Sequence, residues 1–180
     1  MTNEYRDIMT QIFTYGEDLR MFVDINTLPE EWFGTPDHIA YKCQDDQHFE
    51  EVIKDAADDA ETMSVAVHDK RRLASAHLLQ PVYVESFGSV QWLEIMEPRP
   101  EKVGVDGVGL EHMEFYWPHF EDAEEVLRDR GVPYELQGNA SHQWITIIIN
   151  ESGQELKLNN RLLADIVDEE LSEGTAESIL

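Results

Sequence analysis

Residues 37–55, DHIAYKCQDDQHFEEVIKD, and residues 111–129, EHMEFYWPHFEDAEEVLRD, decide the predicted fold because they are two copies of one pattern. The second copy follows the first at an offset of 74 with no gap, so His38 is equivalent to His112. In both copies the spacing of apolar residues changes from that of a strand to that of a helix. Each copy is therefore predicted to begin as a strand, pass through a polar turn and enter a helix.

The sequence after each predicted helix continues in the same way in both copies. Alternating apolar segments predict three more strands after the first helix and three after the second. This gives two strand–helix–three-strand modules, at 35–98 and 109–160. The predicted fold class is α+β, in which the modules pair and their two four-stranded, mixed sheets curl around a central cavity.

The rest of the chain is expected to add short elements to these modules. We predict one domain over 1–180, with an N-terminal helical extension at 1–30 and a C-terminal helix at 161–172. The Pro- and Gly-rich segment 98–109 is the predicted linker between the modules. The tail after Glu173 is expected to be frayed.

Composition and charge exclude several classes of partner. The chain has 180 residues, of which 42% are hydrophobic, and 38 acidic residues against 13 basic ones give a formal charge of −25. Such a chain would repel a phosphate backbone, so nucleic acid and anionic membranes are poor partners. The polar N-terminus lacks a signal-peptide pattern, and Cys43 has no partner for an internal disulfide. A cytoplasmic protein is expected.

The first strands of the modules alternate polar and apolar residues. Period-two alternation places His38 and Lys42 on one face of the first strand, and His112, Glu114 and Tyr116 on the corresponding face of the second. The opposite faces, including Glu111, should pack under the helices. Alignment of the last strands places Glu94 opposite Lys157. The polar residues expected to face the cavity are His38, Lys42, Glu94, His112, Glu114, Tyr116, Glu155, Lys157 and Asn159.

Polar groups in a cavity are costly unless they have partners, and the sequence leaves two solutions open. In one, the groups pair with each other: Glu94 with Lys157 or Lys42, and Glu114 with either lysine. In the other, a metal ion or a small-molecule ligand satisfies them. Two histidines at equivalent repeat positions favour the metal.

The repeated strands identify a resemblance. The segments DHIAYKC (37–43), EHMEFYW (111–117) and WLEIMEP (92–98) resemble the vicinal oxygen chelate superfamily, whose modules begin with a His-bearing strand and end with a Glu-bearing strand. Within it, the chain looks most like the YecM-like proteins. That likeness rests on TPDHIAYKC (35–43), KRRLASAHLLQPV (70–82), the Pro-x-Pro start of the linker, GLEHMEFYWP (109–118) and ELKLNNRLLADIV (155–167).

The resemblance implies a metal site. The four ligand positions of such enzymes would fall at His38, Glu94, His112 and position 157, where this chain has Lys157 instead of a donor. A lysine at this position also resembles the YecM-like pattern, in which a basic residue stands there. Two histidines and one carboxylate with open positions suit Fe(II), Mn, Ni or catalytic Zn, and do not suit a closed structural zinc site.

The expected function is that of a metal-dependent enzyme of isomerase, lyase or dioxygenase type acting on a small oxygen-bearing metabolite. Glu114 is the candidate proton shuttle, Lys157 is a candidate partner for an anionic substrate group, and Lys42 and Tyr116 are further candidate ligand-binding residues. One alternative is a metal-free binding module with paired Glu and Lys side chains, and another is a protein-interaction scaffold. Both modules lie in one chain, which favours a monomer over a dimer.

Overall fold

The computed structural model describes residues 3–103, 107–139 and 141–180, without the side chains of residues 3–6. The helices are α1 (Asn3–Asn26), α2 (Asp46–Ala57), α3 (Phe120–Arg130) and α4 (Leu163–Glu173), with short 3-10 helices at Glu30–Phe33 and Pro100–Lys102. The strands are β1 (Pro36–Lys42), β2 (Ala60–His68), β3 (Arg71–Val84), β4 (Gly88–Met96), β5 (Gly109–Tyr116), β6 (Glu135–Asn139), β7 (His142–Ile148), β8 (Glu155–Asn159) and β9 (Ala176–Ser178).

The strands form one continuous mixed sheet. Its order is β6-β7-β8-β5-β1-β4-β3-β2-β9. Within each repeat the first strand is parallel to the last, as β1 is to β4 and β5 is to β8. The α+β fold class and the repeated strand–helix–three-strand order are confirmed. The two predicted four-stranded sheets are joined, because β1 and β5 pair with each other antiparallel.

The back face of this sheet is apolar and packs against α1, α2 and α3. Ile39 of β1 and Met113 of β5 are direct neighbours in the sheet. Both belong to one buried cluster with Leu19 of α1, Phe49 of α2 and Leu127 of α3. Burying each such side chain contributes about 1.5–3 kcal/mol to folding. The helices thus cover the back and leave the front face for polar residues.

Helix α1 is fixed to the join between the modules by a buried tyrosine. The Tyr15 hydroxyl donates to the backbone carbonyl of Glu155 at 2.6 Å and accepts from the backbone N–H of Met113 at 3.0 Å. Burial raises the pKa of this hydroxyl well above its ordinary value, so it remains a donor. The predicted N-terminal helix is therefore part of the core that supports β5 and β8.

The C-terminal segment crosses to the front face. The prediction that the tail after Glu173 is frayed is wrong, because β9 pairs antiparallel with β2. The backbone N–H of Ile179 also donates to the Met63 carbonyl at 2.9 Å. A three-residue strand is too short to be recognised from alternation in the sequence. It forms because the edge of β2 offers backbone groups with which β9 can pair.

The predicted linker 98–109 contains the short 3-10 helix Pro100–Lys102 and the first residue of β5. Its residues 104–106 lie outside the described residues, as do the first two residues of the N-terminal extension. Among the helices that the structure describes, none combines the length and the apolar composition needed to cross a lipid bilayer.

Candidate metal centre

Two adjacent rows of mostly polar side chains cross the front face. Residues directly paired in neighbouring strands present their side chains on the same face. The His112 row consists of Ser64, Ser75, Glu94, Ala40, His112 and Glu155. The His38 row beside it consists of Thr62, His77, Trp92, His38, Glu114 and Lys157. Both histidines and Glu94 therefore lie where the two modules join.

The structure brings His38, Glu94 and His112 together. One ligand atom from each lies within 4.8 Å of the other two. The histidine side chains are buried, with residue exposures of 4% and 2%, and their Nε2 atoms are 3.4 Å apart. Two nitrogens bound to one tetrahedral ion at about 2.0–2.1 Å lie about 3.3–3.4 Å apart. The distance between the facing imidazole nitrogens thus matches that of two ligands of one metal ion. It is long for a direct hydrogen bond between them.

A β-bulge at Asp37 orients the first histidine. The pairing of β1 with β5 shifts by one residue between Pro36 and His38, so Asp37 is the extra residue. Its Oδ2 accepts from His38 Nδ1 at 2.9 Å and from the backbone N–H of Leu163, the first residue of α4, at 2.9 Å. A carboxylate on one ring nitrogen fixes the tautomer that leaves the other free for a metal. Asp37 also ties this histidine to the start of α4.

A second β-bulge places Glu111 beside the second histidine. The predicted position of Glu111 on the helix-facing side of β5 is wrong, because the pairing shifts between Ala40 and Tyr41 and Glu111 is the extra residue. Its Oε2 lies 3.5 Å from His112 Nδ1, and its Oε1 accepts from Lys42 Nζ at 3.0 Å. A bulge lets two consecutive residues point to one face, which strict alternation excludes.

Side chains satisfy the backbone groups that this second bulge removes from the ladder. Gln11 accepts from the Leu110 N–H at 2.9 Å, and Gln154 donates to the Leu110 carbonyl at 3.1 Å. Gly109 begins the bulge with a φ of 126°, and a Cβ there would lie 2.5 Å from the Gln11 side chain. A side chain at this position would therefore be strained and would displace Gln11.

His112 is held in its neutral form. Burial and then the charge of Lys157 lower the pKa of His112 to about 3, against the opposing effect of Glu111. Its Nδ1 is buried and makes no hydrogen bond within the described part of the chain. A neutral imidazole in a buried position with weakly satisfied nitrogens is suited to be a metal ligand.

His38 has the opposite electrostatic environment. Burial alone would lower its pKa, but the charges of Glu114, Asp37 and Glu94 and the hydrogen bond to Asp37 raise the pKa of His38 to about 9. Without a metal, His38 therefore carries a proton at neutral pH. A cation at Nε2 would take the place of that proton among the same carboxylates.

Glu114 lies beside His38 and is buried. Its Oε1 accepts from Asn159 Nδ2 at 2.5 Å and lies 3.8 Å from His38 Nδ1. Burial raises the pKa of Glu114, against the lowering effects of His38 and Lys157. The carboxyl group therefore takes up a proton more readily than an exposed glutamate does.

The predicted partners of the lysines differ from those in the structure. Lys42 pairs with Glu111, and Lys157 Nζ lies 3.6 Å from Glu155 Oε2. Among the described residues, no hydrogen bond or ion pair reaches the Glu94 carboxylate. Lys157 thus lies beside Glu155, where the metal-free alternative predicted Glu94 or Glu114. The bulge at Glu111 and the neighbouring Glu155 supply other carboxylates.

Tyr116 lies at the end of β5, where its neighbour across the sheet is Asn159. It is 41% exposed, so it stands at the rim of the polar face and not within the cluster of the two histidines. No contact of its hydroxyl in the described part of the chain connects it to the candidate ligands.

Asp37 and Glu111 are the two site residues that the sequence argument missed. Each immediately precedes a histidine, and the two acidic residues are themselves equivalent in the repeat. An acidic residue before each repeated histidine is the signal that could have found them. A one-residue bulge at each of them reverses the alternation, which is why Glu111 was placed on the wrong face.

A family model described as YecM protein matches residues 4–169. The chain belongs to the YecM family. No curated protein matches it.

Solved structures share the fold of this YecM-family chain. A structural-genomics target, Protein EC4020, is 18% identical with a TM-score of 0.77, and the match covers 93% of each chain. Hydroxyglutarate synthase from Oryza sativa, solved with 2-oxoadipate, is 10% identical with a TM-score of 0.61, over 96% of this chain and 86% of that one.

A methylmalonyl-CoA epimerase from Mycobacterium tuberculosis is 15% identical with a TM-score of 0.50, over 74% of this chain and 91% of that one. These identities show the fold alone. The shared fold agrees with the paired-module fold that the resemblance implied.

Proposed function

We propose that this YecM-family chain binds one divalent transition-metal ion through His38 Nε2, His112 Nε2 and the Glu94 carboxylate, and that it is a metal-dependent enzyme acting on a small oxygen-bearing metabolite. The observation that carries the proposal is the pair of buried Nε2 atoms facing each other at 3.4 Å with a carboxylate of Glu94 beside them. In the repeat these histidines are equivalent, so each module supplies one imidazole, and the first module adds Glu94.

The donor set decides which ions fit. Two imidazoles and one carboxylate suit Fe(II), Mn, Ni or catalytic Zn and leave positions for substrate or water. Lys157 occupies the position where the superfamily resemblance would place a fourth ligand, so this chain supplies three. When bound, such an ion polarises a carbonyl or enolate oxygen as a Lewis acid.

The residues around the ligands prepare them for an ion. Asp37 accepts from His38 Nδ1 and so directs the lone pair of Nε2 toward the centre. The charge of Lys157 favours the neutral form of His112. Asp37 therefore orients the ring of His38, and Lys157 helps to keep the ring of His112 neutral.

Glu114 is the candidate group for moving a proton. Its carboxyl group is buried in the His38 row, and Asn159 holds one oxygen in place. A positioned carboxyl group next to an electrophilic site is the arrangement of a general acid or base. This supports proton-transfer chemistry, as in an isomerase or a lyase, over the dioxygenase alternative.

Elemental analysis of untagged protein tests the proposal directly. After incubation with Fe(II), Mn, Ni or Zn and removal of excess ion, we expect about one ion per chain, in agreement with a three-ligand site. His38→Ala and His112→Ala should each lose it, and both should retain the circular-dichroism spectrum of the parent. His119→Ala is the matched control, since His119 is exposed at the start of α3.

Two results would contradict the proposal. Retention of the ion by both alanine variants would place it elsewhere on this acidic surface. Failure of all four ions to bind at any pH would favour the metal-free binding module, for which ligand-induced thermal shifts are the next measurement.

A further inference from the structure

A cavity lies on the front face between the first-module strands and the C-terminal segment. Its volume is about 250 Å³, which is the space of about eight water molecules at roughly 30 Å³ each. That is the size of a compound with one ring. Strands β2, β3 and β4 form its floor, and Val167 and Leu171 of α4 lie over it, with Ser178 of β9 at its side.

The cavity continues the two rows that contain the proposed metal ligands. Ser75 is the direct neighbour of Glu94 in the His112 row. Trp92 is the direct neighbour of His38 in the His38 row, and it is two residues from Glu94 on β4. Two residues that line the cavity are thus direct sheet neighbours of Glu94 and His38, so the cavity lies beside the proposed metal site on the β4 side.

The polar groups of the floor are hydroxyls without partners. Ser64 and Ser75 face each other across β2 and β3, and their residues are only 5% and 7% exposed. Neither side chain makes a hydrogen bond within the described residues. Two adjacent hydroxyls that line a cavity and have no protein partner can hydrogen-bond to a polar ligand or to water there.

One wall is a pair of rings in contact, tilted by 51° to each other. The rings of His77 and Trp92 are 4.9 Å apart, and His77 Nδ1 contacts Glu61 Oε2 at 3.0 Å. The flat face of an indole ring suits contact with another ring. The ring wall and the hydroxyl floor together match a ligand that has a ring and hydroxyl groups.

The charges around the cavity disfavour an anion. Asp168 lines it, and no lysine or arginine does so among the described residues. Lys157 lies on the other half of the sheet beside Glu155, and Lys42 lies at the join of the modules beside Glu111. A carboxylate in this cavity would therefore meet an acidic neighbour and no counter-charge.

We propose that this cavity is the substrate-binding subsite and that it selects an uncharged compound with one hydroxyl-bearing ring, excluding carboxylates of the same shape. The inference rests on the proposed function for the role of the subsite, because the ion would act on the end of the ring nearest Glu94. The binding preference itself comes from the ring wall, the free hydroxyls and the missing cations.

The test uses matched compounds that differ by one carboxylate: glucose with glucuronate, and catechol with protocatechuate. Calorimetry of the full chain in EDTA measures binding without a metal, so this result is separate from that of the metal proposal. We expect the uncharged member of at least one pair to bind about tenfold or more tightly than its carboxylate partner. The two pairs distinguish a sugar-like ring from an aromatic one.

Variants assign the binding to the cavity. Ser75→Ala should weaken it about three- to tenfold, the effect of one lost hydrogen bond, and Ser64→Leu should abolish it by filling the floor. Ser172→Ala is the control, because its hydroxyl is exposed on α4 and bonds only its own helix. No binding of either uncharged compound up to its solubility limit, preference for the carboxylates, or full affinity in Ser75→Ala would each overturn the proposal.

Discussion

The two halves of the front face differ in chemistry although one repeat builds both. The first half, on β2, β3 and β4, presents hydroxyls and rings in a cavity beneath α4. The second half presents charge, with Lys157 beside Glu155 on β8 and Lys42 paired with Glu111 at the join. The repeat fixes where the side chains point, and the residue at each position decides what that half can bind.

The two histidines show this difference most directly. They occupy equivalent positions and are both buried, so desolvation acts on them alike. The pKa of His38 is nevertheless raised to about 9 by neighbouring carboxylates, whereas that of His112 is lowered to about 3, with Lys157 adding to the effect of burial. One imidazole must lose a proton to bind a metal ion, and the other is already neutral.

The largest expected effect is therefore a pH dependence of metal affinity in which His38, and not His112, releases the proton. Below pH 9 a metal ion must displace one proton from this side chain, so affinity should rise about tenfold per pH unit, or about a hundredfold between pH 6 and pH 8. His112, with a pKa of about 3, adds nothing to this slope. Competition titration with a chromophoric chelator at fixed ionic strength measures it.

The number of protons released distinguishes the two environments. One proton per ion at pH 7 is the expected result, measured by calorimetry in buffers of different ionisation enthalpy. Release of two protons would mean that His112 is also charged in the metal-free protein. An affinity independent of pH would mean that His38 is neutral there.

The second-largest expected effect compares the carboxylate next to His38, that of Asp37, with the carboxylate next to His112, that of Glu111. Asp37→Asn keeps an oxygen that can accept from His38 and from Leu163 but removes the charge. We expect about a tenfold or greater loss of metal affinity, the usual consequence of altering the group behind a ligating histidine. Glu111→Gln is the matched variant on the other half, and it should lose less because Glu111 lies 3.5 Å from His112.

Metal affinities of the two variants, measured with thermal melting curves, decide the comparison. Equal losses in both would show that the two carboxylates act only through overall charge. A large fall in melting temperature for Asp37→Asn alone would show that the contact with α4, and not the histidine, is its main role.

Much of the fold could be predicted because period and repetition are local signals. The alternation around His38 and His112 predicts the first strand of each module. The constant offset between the two copies then predicts the second module from the first. What failed depends on contacts between distant segments. The strand β9 exists because the edge of β2 is available to it.

Part of the candidate site could also be predicted from local signals, and part could not. The two histidines and Glu94 follow from alternation and from alignment of the modules, which need no knowledge of the tertiary structure. Glu111 did not follow, because its position depends on a bulge whose backbone groups are satisfied by Gln11 and Gln154, far away in the sequence. Sequence periodicity cannot show a bulge that is stabilised by remote side chains.

The smallest expected effect tests whether Lys157 weakens metal binding. Lys157→Met removes a positive charge near the ligands while keeping most of the apolar stem, and it leaves Glu155 without its neighbouring cation. We expect metal affinity to rise about two- to fivefold, since a partly screened charge contributes at most about 1 kcal/mol. Lys54→Met, on the exposed side of α2, makes the same change in net charge away from the site.

The two lysine variants differ only in where the charge is lost, so their difference isolates the local effect of Lys157. An equal rise in both would reflect the more negative net charge of the protein. A fall in affinity for Lys157→Met alone would show that the lysine supports the site, because its charge keeps His112 neutral. In that case the loss should be confined to acidic pH, where His112 would begin to take up a proton that competes with the metal ion.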